Sequence, residues 1–496
     1  MKRLLIAGLA MGLTLAPGLV ASGGTSERCD FDGDGFFDLA VGAPDDDISV
    51  EDDGSVMVAY GGSGGVSQSS AERWHHDTSG VQGVQSGYEG FGVVLACGDF
   101  DNDGRADLAI GVPLDGDTSK GAVTVLYGSS GGLTAEDDLW TLDTAGVTGT
   151  GNEGDAFGAS LVSSDFDNDG FDDLAIGATG EEAGAVSNGG AITVLYGASG
   201  GLTANGSQQW HQEASGIKGI AISGEAFGRS LAAGDFDNDG FPDLAIGALG
   251  SGNRGEVTVL YAGSGGLTST DQLWSQSSTG VQGTAEDEDY FGESLAAGDF
   301  DNDGYDDLAI GAVGENNLEG LVHVLPGAAS GLTATGDELW NQDSSGVVGT
   351  GTALEMFGAD LAAGDFNEDG FADLAVGVPG DNAGTSSGGA VNILLGSGGL
   401  LTSTGNQLWH QDSSGVEGSA EYGDRFGAFL VAGDFDNDGN SDLAVGVPGE
   451  ALGVELEAGI VNLLYGAGAG LTATGDQAID LSWVGNPDDE DRFGSL

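Results

Sequence analysis

Apolar residues fall in short runs of four to seven, separated by glycine-rich polar breaks along nearly the whole chain. The repeating unit follows a template that starts FGxSLAAGDF, then an acidic stretch, then DLAIG. After a glycine-rich turn come GAVTVLYG, a turn of the form GSxGGLT, and QLWHQD. The runs are rich in Val, Ile, Leu and Tyr, the residues that suit a pleated and largely buried surface. No stretch shows the 3.6-residue period of an amphipathic helix. Each unit therefore predicts four short antiparallel strands. Repeated units of this kind cannot bury their apolar faces alone and must pack on their neighbours. The fold predicted is all-β: a seven-bladed β-propeller of four-stranded antiparallel blades.

The spacing is regular enough to count blades. Acidic loops begin at Asp30, Asp99, Asp165, Asp235, Asp299, Asp365 and Asp434, at intervals of 64 to 70 residues. A Phe-Gly pair stands eight residues before six of them, at Phe91, Phe157, Phe227, Phe291, Phe357 and Phe426. The seven tryptophans (74, 140, 210, 274, 340, 409 and 483) fall one per repeat, and each of the first six lies 17 residues before the next Phe-Gly. Length variation is thus confined between acidic loop and tryptophan, where insertions must be surface turns. The first loop has no Phe-Gly before it, whereas the chain ends in an orphan Phe493-Gly494. That pair is expected to supply the missing start of blade one beside residues 24–29 and so close the ring.

Within each loop, oxygen ligands recur at positions 1, 3, 5 and 9. They are Asp30, Asp32, Asp34 and Asp38; Asp99, Asp101, Asp103 and Asp107; Asp165, Asp167, Asp169 and Asp173. The later blades carry Asp235, Asp237, Asp239 and Asp243; then Asp299, Asp301, Asp303 and Asp307. The last two sets are Asp365, Asn367, Asp369 and Asp373; and Asp434, Asp436, Asp438 and Asp442. Alternating carboxylates wrapped around one point suit Ca²⁺, which takes six to eight oxygens in flexible geometry. Position 6 is glycine in every copy, as a sharp turn requires. A main-chain carbonyl at position 7, such as that of Arg105, and water would complete the shell. The loop is not an EF-hand, because position 12 is Ile110 in blade two and a strand follows instead of a helix. Up to seven Ca²⁺ are expected, one per blade, with a weaker site in blade six where Asn367 removes one charge.

Composition sharpens this picture. The 96 glycines have no three-residue period, and 39% of residues are hydrophobic, so the chain is turn-rich and globular. A net charge of −69 excludes nucleic acid as a partner. It fits both a solvated acidic surface, as in exported proteins of salty environments, and cations built into the fold. MKRLLIAGLAMGLTLAPGLVAS reads as a signal peptide over residues 1–22, leaving a propeller over 23–496. No later stretch is long and apolar enough for a membrane helix. A secreted, extracellular or periplasmic monomer is expected. Cys29 does not sit in a lipobox, and with Cys97 it could form one bridge between neighbouring blades in an oxidising compartment.

Phe-Gly, the DxDxDGxxD loop and Gly42-Ala43-Pro44, with Gly-Val-Pro at 111–113, 377–379 and 446–448, resemble the FG-GAP repeats of the integrin alpha-subunit head. The resemblance covers essentially the whole mature chain. It implies a seven-bladed propeller with calcium in hairpin loops on one face and ligand binding on the other. The chain departs from integrins in having no von Willebrand-type insertion between blades two and three, no leg domains and no membrane helix. All seven loops carry competent ligands, whereas most integrin heads load only some.

Three function classes follow. The first is a non-catalytic binding or adhesion module for an extracellular protein or glycan, recognised by loops such as 44–54 and 180–190. The second is a hydrolase or phospholipase relative, because FG-GAP propellers accompany such activities. The third is a carbohydrate-binding propeller, with exposed tryptophans stacking on sugars. Against catalysis, the Gly-x-Ser-x-Gly stretches at 61–65, 128–132 and 197–201 recur at one repeat position as hairpin turns, with no helix after them. His75, His211 and His410 belong to different blades and are expected at the surface. One acidic residue stands two before each Phe-Gly: Glu89, Asp155, Glu225, Asp289, Glu355, Asp424 and Asp491. These either accept backbone N–H bonds at the entry to the strand or ring the channel mouth and recruit a cation or basic partner.

Overall fold

A computed structural model describes residues 29–48, 52–83, 87–382, 387–453, 455–485 and 491–494. The expected signal peptide lies outside them. Seven antiparallel sheets follow one another along the chain, six with four strands and one with three. Blade five shows the plan: Phe291–Gly298 innermost, then Asp307–Ala312, Leu321–Leu325 and Glu338–Trp340 at the edge. The first connection is the acidic loop. The third, the GSxGGLT turn, is on the same face of the ring. The second connection and the link to the next blade lie on the opposite rim. The Gly-x-Ser-x-Gly stretches are turns in this third connection, with bridges Ser63↔Gly65, Ser130↔Gly132 and Ser199↔Gly201.

The core is not one mass but seven separate clusters, each made by facing blades. Phe31, Val56 and Val58 of blade one meet Phe91, Leu108 and Ile110 of blade two in one of them. Leu39 and Met57 of blade one meet Val431, Val461 and Phe493 in another. All seven tryptophans pack into or against these clusters, Trp74 and Trp140 buried and the other five partly exposed. Six end the outermost strand of their sheet opposite a β-branched residue, as in Val123↔Trp140 and Ile192↔Trp210. Blade seven departs: Ile479 takes that register position against Val461, and Trp483 sits four residues on in a short helical turn.

Phe493 is fully buried, and its N–H donates to the Ala458 carbonyl (3.0 Å). Gly494 N–H donates to the Gly42 carbonyl of blade one (3.2 Å). A Cβ on Gly459 would meet Phe493 N and O at 2.6 and 2.2 Å, just as one on Gly190 would meet those of Phe227 at 2.3 Å. The expected closing role of the last Phe-Gly is therefore met by the contacts of every other blade junction. In blade one three strands are described, and Cys29 begins the inner ladder, its carbonyl accepting from Asp38 N–H (2.7 Å). Cys29 and Cys97 are disulfide-bonded, with Cα atoms 5.7 Å apart, which ties the inner strands of blades one and two.

Candidate metal loops and the opposite rim

Position 1 of each acidic loop is its organiser. Asp99 Oδ1 accepts Asp103 N–H (2.9 Å) and Oδ2 accepts Gly104 N–H (2.8 Å). Asp165 and Asp434 do the same with their own positions 5 and 6. The turn needs two left-handed residues. The position-6 glycines have φ between 88° and 101°, and position 4 is Asn102, Asn168, Asn238, Asn302 or Asn437 at φ of 53° to 56°. Asparagine is the side chain that tolerates this region best after glycine. That role of position 4 is written in the repeated DND, yet reading the loop only for carboxylates passes over it.

Position 9 closes the loop from the start of the second strand. Asp107 Oδ2 accepts Phe100 N–H (3.1 Å), and Oδ1 accepts Gly128 N–H beyond the third strand (2.9 Å). The group is buried, and desolvation pushes its carboxyl up to about 8, as it does at Asp38, Asp243, Asp307 and Asp442. Asp173 reaches about 9 and Asp373 about 7 from the same first cause. At position 3, burial and then the neighbouring carboxylates raise Asp101, Asp167, Asp237 and Asp301. Position 5 is more exposed and returns to its own loop, as when Asp103 Oδ1 accepts Arg105 N–H (3.1 Å).

Carboxylate oxygens of positions 1, 3 and 9 come within 4.8 Å of one another in blades one to three, and those of positions 1, 3 and 5 do so in blade four. The Oδ1 atoms of Asp167, Asp237, Asp301 and Asn367 are buried with no hydrogen-bond partner. Several dehydrated carboxylates and an orphaned oxygen at one point fit a bound hard cation, because a buried anion without a partner is strongly unfavourable. The loops are also chained together. The position-8 N–H of one blade donates to the position-1 carbonyl of the blade before: Ala106 to Asp30, Asp172 to Asp99, Asp306 to Asp235, Ala372 to Asp299 and Ser441 to Asp365, at 2.8 to 3.2 Å. Pro242 has no N–H to give, and there Asn168 Nδ2 bonds the Gly240 carbonyl instead (2.7 Å).

On the opposite rim the seven acidic residues before Phe-Gly are all buried, at 3% exposure or less. Asp155, Glu225, Asp289, Glu355 and Asp424 each accept the N–H of the residue three before, which stitches the loop to the strand entry. They do not form an open ring at the channel mouth. Most face a second carboxylate from the following connection, which the sequence did not single out. Asp115 lies within hydrogen-bond reach of Glu89, Glu181 of Asp155, Glu256 of Glu225 and Glu315 of Asp289. Burial first, then the partner acid, pushes Glu181 and Glu225 up to about 8 and Glu315 to about 7. His75, His211 and His410 are half-buried rather than surface residues and are not brought together.

Seven segments, residues 28–58, 91–126, 157–195, 227–260, 291–325, 357–394 and 426–470, match the FG-GAP repeat family, and together they cover just over half of the chain. The chain belongs to the FG-GAP repeat family. Among curated FG-GAP relatives it is 34% identical to integrin alpha-5 of Xenopus laevis over 236 residues, 45% of this chain and 20% of that protein. Integrin alpha-8 of Mus musculus is 34% identical over 229 residues, again 45% of this chain and 20% of the relative. Phosphatidylinositol-glycan-specific phospholipase D of Rattus norvegicus is 33% identical over 186 residues, 35% of this chain and 21% of the enzyme. The chain thus spans about a fifth of the length of these relatives. This FG-GAP propeller is related to integrin alpha heads, and no helix among its described residues is long and apolar enough to cross a membrane.

Proposed function

We propose that this FG-GAP propeller is an exported, calcium-stabilised, non-catalytic binding or adhesion module whose recognition face is the rim opposite the acidic loops. The observation that carries the reading is the placement of exposed apolar side chains. The large exposed hydrophobics among the described residues are Tyr88, Ile220, Val348, Leu354, Tyr422 and Leu456, and every one lies in a rim loop. Five precede a Phe-Gly and one follows a second strand. Apolar groups gathered on one side of a chain otherwise carrying −69 charges support a contact surface there. The acidic loops on the other side combine carboxylates that build the turn with buried oxygens left over at position 3, which suits a structural metal. Ca²⁺ fits best, since every side-chain donor is oxygen and the cage is a flexible loop. The kinship with integrin alpha heads supports the same division of faces and an extracellular location.

The test is adhesion in calcium to a panel of immobilised extracellular proteins and glycans. A combined Ile220→Ser, Leu354→Ser and Tyr422→Ser variant should lose at least tenfold in binding while melting as the parent does. Undiminished binding by that variant would remove the face assignment. Inhibition by free sugars would favour a glycan ligand over a protein one.

A further inference from the structure

One rim junction differs from the others in its chemistry. Two residues after the tryptophan, four junctions carry Gln212, Gln276, Gln342 and Gln411, and a fifth carries Leu142. Gln342 and Gln411 donate their amides to Asp381 and Glu450, the second carboxylates of their junctions. Where blade one meets blade two, the residue is His76. A glutamine amide can only donate N–H to a carboxylate, whereas a neutral imidazole offers a lone pair.

His76 is 7% exposed, and the Phe91 ring meets it edge-on with centroids 4.7 Å apart, which sets the plane of the imidazole. Its Nδ1 lies 3.3 Å from Glu89 Oε2, and among the described residues neither ring nitrogen has a hydrogen-bond partner. Asp115 sits within hydrogen-bond reach of Glu89, so two carboxylates and one imidazole share a point. Ligand atoms from the three residues all lie within 4.8 Å of one another. Two ligands of one tetrahedral metal, each about 2.0–2.2 Å from it, stand about 3.3–3.5 Å apart. The His76–Glu89 separation has that value, longer than the ~2.8 Å of a charge-assisted hydrogen bond.

We propose that His76, Glu89 and Asp115 form a binding site for one divalent transition-metal ion, with Zn²⁺ the best match. An imidazole with two carboxylates is a borderline donor set that suits zinc and is foreign to calcium, which takes oxygen alone. Three protein ligands leave the fourth tetrahedral position to water or to a ligand atom of a bound partner. Asp115, half-buried, gives the entry path from solvent. The site is separate from the seven acidic loops, since it stands on the other face and draws its residues from different connections.

The experiment uses the untagged full chain saturated with Ca²⁺, titrated with Zn²⁺ by calorimetry, with Co²⁺ as an optical probe. One equivalent should bind with micromolar or better affinity, and Co²⁺ should give the intense visible bands of four-coordination. His76→Gln, the residue of the sister junctions, should weaken Zn²⁺ binding at least 30-fold with calcium stoichiometry and melting unchanged. Asp115→Asn should weaken it through a different ligand. Absence of a zinc equivalent in the parent, or undiminished zinc binding in both variants, would overturn the proposal.

Discussion

A single aspartate can build a turn and still offer oxygens to a cation, and position 1 of each loop is placed for both. Asp235 accepts N–H bonds from Asp239 (3.0 Å) and Gly240 (2.9 Å), and its carboxylate has an oxygen within 4.8 Å of those of Asp237 and Asp239. Asp235→Ala should therefore lose one calcium from the stoichiometry and cost about 2–4 kcal/mol, through two unmade hydrogen bonds and the lost linkage of the ion. Denaturant unfolding in calcium, beside calcium titration, measures both. Asn367 is the reverse case: its Oδ1 is buried without a partner among the described residues, and it leaves ligand positions 1, 3, 5 and 9 of that loop one charge short. Asn367→Asp should convert the weakest calcium phase into one like the others, which a titration resolves directly. The carboxylates, the glycine and the departure at 367 were all legible in the sequence, since seven copies make the pattern self-checking. The second carboxylates on the rim were not. Their position after the second strand is acidic in six blades, but in blade four it is Ser251, and Glu256 at the start of the next strand fills the same space. A linear pattern does not reveal such a substitution in space.

At the scale of the strand, short apolar runs with fixed breaks led correctly to four strands per blade, because a buried strand needs little more than that. The register of the last blade was hidden, since Ile479 packs where a tryptophan was expected and Trp483 moves into the next turn. Whether Cys29 and Cys97 pair was equally hidden; it depends on two inner strands lying side by side, which spacing alone does not give. Reducing the bridge or making Cys97→Ser should cost about 2–4 kcal/mol, read from denaturant midpoints with and without reductant. The inner strand of blade six holds a further anomaly. Ser160, Ser230 and Ser294 donate to the Phe-Gly glycine carbonyl of the next blade at 2.6 to 2.7 Å, but blade six has Asp360, which accepts Leu430 N–H (2.7 Å). Desolvation pushes Asp360 up to about 7. An acid whose carboxyl is raised on folding stabilises below its unfolded value near 4, and that contribution is lost as pH rises through about 7. Asp360→Ser should thus be more stable than the parent at pH 8 by about 1–2 kcal/mol and gain nothing at pH 4, as paired denaturation curves would reveal.

In the whole molecule, stability depends on closing a ring of separate cores and on keeping the blades in step. The Gly459–Phe493 approach repeats the Gly190–Phe227 approach of an internal junction. Gly459→Ala and Gly190→Ala should be similarly destabilising, about 2–4 kcal/mol each, because both glycines hold φ near +80° against neighbouring backbone. A far smaller loss at Gly459 in the same denaturation series would mean that the ring is not sealed there. The acidic loops join this closure, since five of them pass their position-1 carbonyl to the next blade, so ordering one loop positions its neighbour. Calcium in these loops is on this account a part of the architecture. Each site at a hundredfold excess over its dissociation constant adds about 2.7 kcal/mol, and seven such sites amount to much of the stability of a chain this size. The most direct measurement is the melting temperature of the full chain in calcium against chelator. The account predicts a fall of at least about 10 °C in chelator, restored by Ca²⁺ and not by Mg²⁺. An unchanged melting temperature would contradict it.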